Sequence, residues 1–62
     1  MFEMTVTCIN PHSFEPIEYK TYYYSLFAID YLIKNNIKKC VDVLSIVVTD
    51  ATTGEVMREW ER

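Results

Sequence analysis

The stretch from Leu44 to Trp60 most constrains what this chain can fold into. Apolar residues recur at every second position up to Thr49, and β-branched side chains dominate the run. This period of two predicts a half-buried β-strand. The only glycine of the chain, Gly54, follows shortly afterwards. Glycine accepts the positive φ that a tight hairpin loop requires, so the stretch predicts a β-hairpin.

The hairpin fixes which side chains share a face of the sheet. A loop at Thr52–Gly54 places Val48 opposite Arg58 and Ile46 opposite Trp60. The predicted core face is Leu44, Ile46, Val48, Val56 and Trp60. The predicted opposite face is Val43, Ser45, Val47, Thr49, Met57, Glu59 and Glu61. A slip of one residue would bury Glu59 and Glu61, so this register is preferred.

A weak internal repeat relates the first third of the chain to this hairpin. With a shift of forty residues, Asn10 matches Asp50, Ser13 matches Thr53 and Glu15 matches Glu55. Asn and Asp both open turns by accepting a hydrogen bond from backbone two residues ahead. We therefore expect a second hairpin. The alternative is a long irregular loop over residues 10–21.

Two residues define the details of this second hairpin. Phe14 stands where the other hairpin has glycine, which favours a four-residue loop. That loop pairs Cys8 with Ile17 and Val6 with Tyr19. Pro16 cannot donate a hydrogen bond to a neighbouring strand, so the second strand is expected at an edge of the sheet.

A helix is predicted between the hairpins. Ser25 is a suitable N-cap, and the helical pattern continues to about Asn35. Leu26, Ile29 and Ile33 fall on one side at helical spacing. A second set steps by three and four on the other side: Tyr24, Phe27 and Tyr31.

The resulting fold class is α+β, with the element order ββαββ and one helix packed on one face of a four-stranded sheet. The preferred strand order is 2-1-3-4, antiparallel throughout, because strands one and three have the most regular or most apolar patterns. Pro16 and the charges of the fourth strand suit edges. The alternative order is 1-2-3-4, with strands two and three parallel and joined by a right-handed crossover.

Length and charge limit the function classes. The 62 residues form one small domain, residues 1–62, with a net charge of −3 and a pI near 4.9. An acidic balance disfavours general binding to nucleic acid or to anionic membranes. No segment has the length of a membrane span or the pattern of a signal peptide, so we expect a cytoplasmic protein that does not interact with membranes.

Candidates for chemistry are few. The only histidine, His12, adjoins Ser13, but adjacency does not make a nucleophile–base pair, so we expect no enzyme and no cofactor. The order 2-1-3-4 makes Cys8 and Cys40 neighbours, and both are expected to be reduced and mostly buried. Zinc bound by Cys8, His12 and Cys40 is left open, although no Cys-x-x-Cys pair supports it.

Surfaces are the remaining candidates for function. A single helix leaves the other sheet face open, and contiguous apolar patches of that kind often mark interfaces. The residues expected there are Thr5, Thr7, Ile9, Tyr22, Val41, Val43, Val47 and Met57. Tyr24, Phe27 and Tyr31 form a second candidate surface, for which the alternative is packing against loops and the sheet rim.

The sequence therefore predicts a non-catalytic protein-interaction or regulatory module. The expected partner is a second copy, bound through the open sheet face, or another protein. The alternative is single-stranded nucleic-acid binding, with Tyr22 and Tyr24 stacking on bases and Lys34, Lys38 and Lys39 contacting phosphates.

Overall fold

The computed structural model describes residues 1–37 and 39–62. Two strands, β1 (Phe2–Ile9) and β2 (Pro16–Tyr23), precede the helix α1 (Leu26–Leu32), which continues into a π-helical turn (Ile33–Ile37). The strands β3 (Val43–Asp50) and β4 (Val56–Glu61) follow. All pairs are antiparallel and the order is β2-β1-β3-β4, which confirms the predicted α+β fold and its preferred topology.

The two hairpin loops are structural copies of each other. In each, the backbone N–H and C=O of an Asn or Asp close the loop. Asn10 N donates to Glu15 O at 2.9 Å, and Asp50 N donates to Glu55 O at 2.8 Å. The side-chain oxygens of Asn10 and Asp50 each accept from the backbone N–H two residues ahead, at 2.9 Å and 2.8 Å. The forty-residue repeat is thus confirmed as two four-residue loops.

The β1–β2 register is also the predicted one. Cys8 lies opposite Ile17 and Val6 opposite Tyr19. Because β2 pairs with β1 alone, Pro16 lies on an edge strand, where its missing N–H removes no internal bond.

A bulge in β3 changes which residues face the core. Thr7 pairs with Ser45 but Cys8 pairs with Val43, so Leu44 is an extra residue in β3. An extra residue reverses the alternation of side chains before it. Val43, predicted on the open face, is therefore buried at 4 % exposure, whereas Leu44, predicted in the core, is only half-buried.

A second bulge does the same in β4. Val48 pairs with Arg58 and Ile46 with Trp60, as predicted, but Thr49 pairs with Val56, so Met57 is the extra residue. Met57, predicted on the open face, packs against the core, and Val56, predicted in the core, is 52 % exposed. The loop explains the bulge. The predicted three-residue loop would place Ala51 opposite Glu55, but the observed loop has four residues and closes on Asp50 and Glu55, so β4 needs one extra residue to keep Val48 opposite Arg58.

The core lies between the helical segment and one face of the sheet. It consists of Met4, Ile29, Ile33, Val43, Ile46 and Val48. Ser25 caps α1 as predicted, since its hydroxyl accepts from Ala28 N at 3.3 Å. The helical segment ends at Ile37, two residues later than predicted, because the π-helical turn carries it on to a half-buried Ile37.

The connection into β3 is a turn held by the last residue of the chain. Cys40 O accepts from Val43 N at 3.3 Å, and the Arg62 guanidinium donates to Cys40 O and Val43 O, each at 2.8 Å. Val41, predicted on the open sheet face, lies in this turn outside the strands and is 81 % exposed. Cys40, predicted to be mostly buried, is exposed here.

Candidate functional site

Three exposed aromatic side chains lie on the outer side of α1 and just before its N-cap. Ile29 and Ile33 point into the core at 0 % and 9 % exposure, so residues half a turn away must face outward. Tyr24 is 84 % exposed, Phe27 is 82 % exposed and Tyr31 is 61 % exposed. We call these three residues the aromatic stripe. The alternative that they pack against loops and the sheet rim is wrong.

Charged groups border the aromatic stripe on one side. The Arg58 guanidinium of β4 donates to both carboxylate oxygens of Asp30 in α1, at 3.0 Å and 3.1 Å. Its remaining contact is to Met57 O at 2.7 Å. Lys34, one turn beyond Asp30, is exposed. An open groove of about 440 Å³ runs along this border, lined by Phe27, Asp30, Tyr31, Lys34 and Asn35.

The open sheet face is more polar than the sequence predicted. Thr5 lies opposite Val47 and Thr7 opposite Ser45, and all four are half-buried. On the same face, the Nζ atom of Lys20 lies 3.9 Å from the Oε1 atom of Glu3. The loss of Val43 and Met57 to the core removes two of the apolar groups expected here. Ile9 is half-buried at the end of β1, and Tyr22 is 55 % exposed on β2.

The two cysteines are neighbours at one end of the sheet. Cys8 pairs with Val43, which is bonded to Cys40 O across the turn. Burial raises the pKa of the Cys8 thiol, and negative charge on Cys40 and Asp42 raises it further. A raised pKa lowers the thiolate fraction and therefore the reactivity of Cys8. Cys40, by contrast, is accessible to reagents.

His12 lies exposed in the first hairpin loop, where its backbone N–H bonds to Asn10. Across residues 1–37 and 39–62, no three His, Cys, Asp or Glu side chains are grouped to hold a metal ion. Cys8, His12 and Cys40 are therefore not assembled into a metal centre.

The residues of the nucleic-acid alternative lie on different surfaces. Tyr22 pairs with Glu3 on the open sheet face, whereas Lys34 lies on the helical segment that covers the opposite face. Lys39 is exposed near the end of that segment, and Lys38 lies outside the described residues. Tyr22 and Lys34 thus do not line a common groove.

A cleft between α1 and β4 was not anticipated from the sequence. It has a volume of about 410 Å³ and is lined by Asp30, Ile33, Lys34, Ile46, Arg58, Glu59 and Trp60. Its floor is apolar, and the Asp30–Arg58 pair bridges its two walls. The predicted pairing of Ile46 with Trp60 and of Val48 with Arg58 indicated that Trp60 and Arg58 share the face of the sheet that the helix covers. The sequence did not indicate how far the helix extends over β4, and this position determines the cleft.

Comparison with protein-family models, with curated proteins and with solved structures finds no match for this chain. Within the described part of the chain, no helix combines the length and the apolar character that crossing a bilayer requires.

Proposed function

We propose that this chain is a non-catalytic, cytoplasmic interaction module that pairs with a second copy of itself through the aromatic stripe. The observation that carries the proposal is the exposure of Tyr24, Phe27 and Tyr31, at 84 %, 82 % and 61 %. Aromatic residues are enriched where protein interfaces gain most of their binding energy. The open sheet face, expected from the sequence to hold the dimer, has two of its expected apolar groups, Val43 and Met57, packed in or against the core instead.

The spacing of the stripe is self-complementary. When two helices stack antiparallel about an axis level with Ile29, residues equally far before and after Ile29 lie level with each other. Phe27 then lies level with Tyr31 of the second copy, and aromatic pairs are favourable contacts. The two-fold axis makes this pair occur twice. Tyr24 precedes the N-cap Ser25, so the helical spacing does not fix its partner.

The available area sets the expected strength of the dimer. An aromatic side chain buries roughly 150–250 Å², so at these exposures the stripe contributes roughly 350–550 Å² per protomer. The pair would bury roughly 700–1,100 Å² through the stripe, which is the range of weak, transient interfaces. We therefore expect a dissociation constant between about 1 µM and 1 mM.

Sedimentation equilibrium across this concentration range tests the proposal. The wild type should shift reversibly from monomer to dimer, and Phe27→Lys should weaken the dimer at least about tenfold, since it buries a charge at the centre of the contact. Tyr22→Lys is the matched control, because it removes an exposed aromatic from the opposite face of the sheet. We expect it to dimerise like the wild type.

Two outcomes would contradict the proposal. A wild type that stays monomeric up to about 1 mM would exclude a dimer of biochemical strength. A dimer that is weakened by Tyr22→Lys but not by Phe27→Lys would place the contact on the open sheet face. Circular dichroism of both variants establishes that each is folded.

A further inference from the structure

We propose that the cleft between α1 and β4 binds a small apolar carboxylate, with the apolar body on Trp60 and Ile33 and the carboxylate at the ammonium group of Lys34. This inference does not depend on the dimer. It rests on the shape of the cleft, on its apolar floor and on the balance of charge around it.

The cleft has the form of a ligand site. Its volume of about 410 Å³ lies within the range of roughly 300–1,000 Å³ in which small-molecule sites occur. The half-buried indole of Trp60 supplies a flat aromatic surface, and the accessible edge of Ile33, which is 9 % exposed, adds aliphatic surface. Such a floor favours a ligand with an aromatic ring or a short alkyl chain, because apolar contact displaces water from it.

The charge balance of the cleft selects the sign of the ligand. Arg58 donates two hydrogen bonds to the Asp30 carboxylate, so these two charges neutralise each other and neither determines the sign of the ligand. Glu59 pairs with Val47, so its side chain projects toward the open sheet face, away from Arg58 and Trp60. Among the described residues, no ion pair involves the ammonium of Lys34, so a carboxylate ligand complements its charge.

A second cation reinforces this preference. The Arg62 guanidinium lies 5.5 Å from the centroid of the Trp60 ring, and its hydrogen bonds are to the carbonyl oxygens of Cys40 and Val43. Its positive charge is therefore not cancelled by those partners. The indole that lines the cleft thus has a second cationic group, Arg62, beside it, which favours an anion in this part of the cleft.

The experiment uses the only tryptophan of the chain, Trp60, as the reporter. Its fluorescence is titrated with 4-phenylbutyrate and with 4-phenylbutanol, which has the same apolar body without the charge. The protein is kept at concentrations where it is monomeric. The acid should bind in the low millimolar range, as expected for so small a ligand, and about fivefold tighter than the alcohol at low salt. Added salt should reduce this preference.

Two variants assign the carboxylate contact. Lys34→Gln should lower the affinity for 4-phenylbutyrate to that for 4-phenylbutanol and leave the alcohol unaffected. Lys39→Gln removes another exposed lysine, one that does not line the cleft, and should bind both ligands like the wild type. Backbone amide shifts upon titration should be largest around the cleft residues.

Three results would overturn the proposal. Equal affinity for acid and alcohol would show that the cleft does not recognise a carboxylate. An acid preference that survives Lys34→Gln would show that the carboxylate lies elsewhere. If neither compound saturated the fluorescence change below about 20 mM, the cleft would not be a binding site for this class of ligand.

Discussion

Phe14 and Gly54 occupy the same position in two loops with the same hydrogen bonds, but only one of them suits that position. Phe14 has φ of 60° and Gly54 has φ of 78°. Glycine adopts this left-handed conformation without steric cost, whereas a residue with a Cβ loses about 1–2 kcal/mol there. Phe14 is also 79 % exposed, so no packing of its ring offsets this cost.

Exchanging the residue type at these two positions should change stability in opposite directions. Phe14→Gly should stabilise the fold by about 0.5–1 kcal/mol, because relief of the backbone exceeds the added entropy of the unfolded chain. Gly54→Phe should destabilise the fold by about 1 kcal/mol, because a residue with a Cβ is strained at this positive φ. Steric clash adds nothing, since beyond the two neighbouring residues no atom lies within 4 Å of an added Cβ. Urea denaturation of both variants measures these changes. Destabilisation by Phe14→Gly would show that the exposed ring contributes to the fold.

At the scale of the elements, the two bulges decide which side chains enter the core. Each inserts one residue, Leu44 in β3 and Met57 in β4, and each reverses the alternation on one side of itself. Val43 and Val47, four residues apart in the same strand, would share a face if the alternation were unbroken. With the bulge between them, Val43 is in the core and Val47 is on the open face.

Replacing each valine by threonine tests this assignment, because the two side chains have nearly the same shape. Val43→Thr should destabilise by about 1–3 kcal/mol, since it places a hydroxyl in the apolar core. Val47→Thr should change stability by less than about 0.5 kcal/mol. Thermal or urea unfolding of both variants gives the comparison. Equal costs at the two positions would mean that both valines are buried to a similar extent.

The same bulges mark the limit of what the sequence predicts for this fold. Element order, hairpin registers and strand order follow from hydrophobic periodicity, one glycine and one proline. A bulge leaves the alternation of side chains intact in the stretches of strand before and after it. It changes only which face of the sheet the two stretches share. Nothing in the residue types at Leu44 and Met57 indicates a bulge. Helical spacing predicted that Phe27 and Tyr31 lie on the side of the helix away from Ile29 and Ile33, but it left open whether loops cover them. The cleft was not predictable, because it depends on where the helix lies over the sheet.

For the whole molecule, the small core links stability to association. Only six hydrophobic residues are buried within the described part of the chain, while the accessible surface is 4490 Å². A domain of this size buries about 60% of its unfolded surface and is marginally stable alone. A partner that binds only the folded state stabilises that state by mass action. If the aromatic stripe pairs two copies, the dimer adds stability that the monomer lacks.

This linkage predicts a melting temperature that depends on protein concentration. Between concentrations far below the dissociation constant and about tenfold above it, stability should rise by about 1 kcal/mol. For a domain of this length, that corresponds to an increase of about 4–8 °C in the melting temperature. Calorimetry over this concentration range should show the increase for the wild type and for Tyr22→Lys. Phe27→Lys should show less than about half of this increase, because its dimer is at least about tenfold weaker. Its monomer core is unchanged, since the Phe27 side chain is 82 % exposed. An increase in Phe27→Lys as large as in the wild type would show that the copies associate without the stripe.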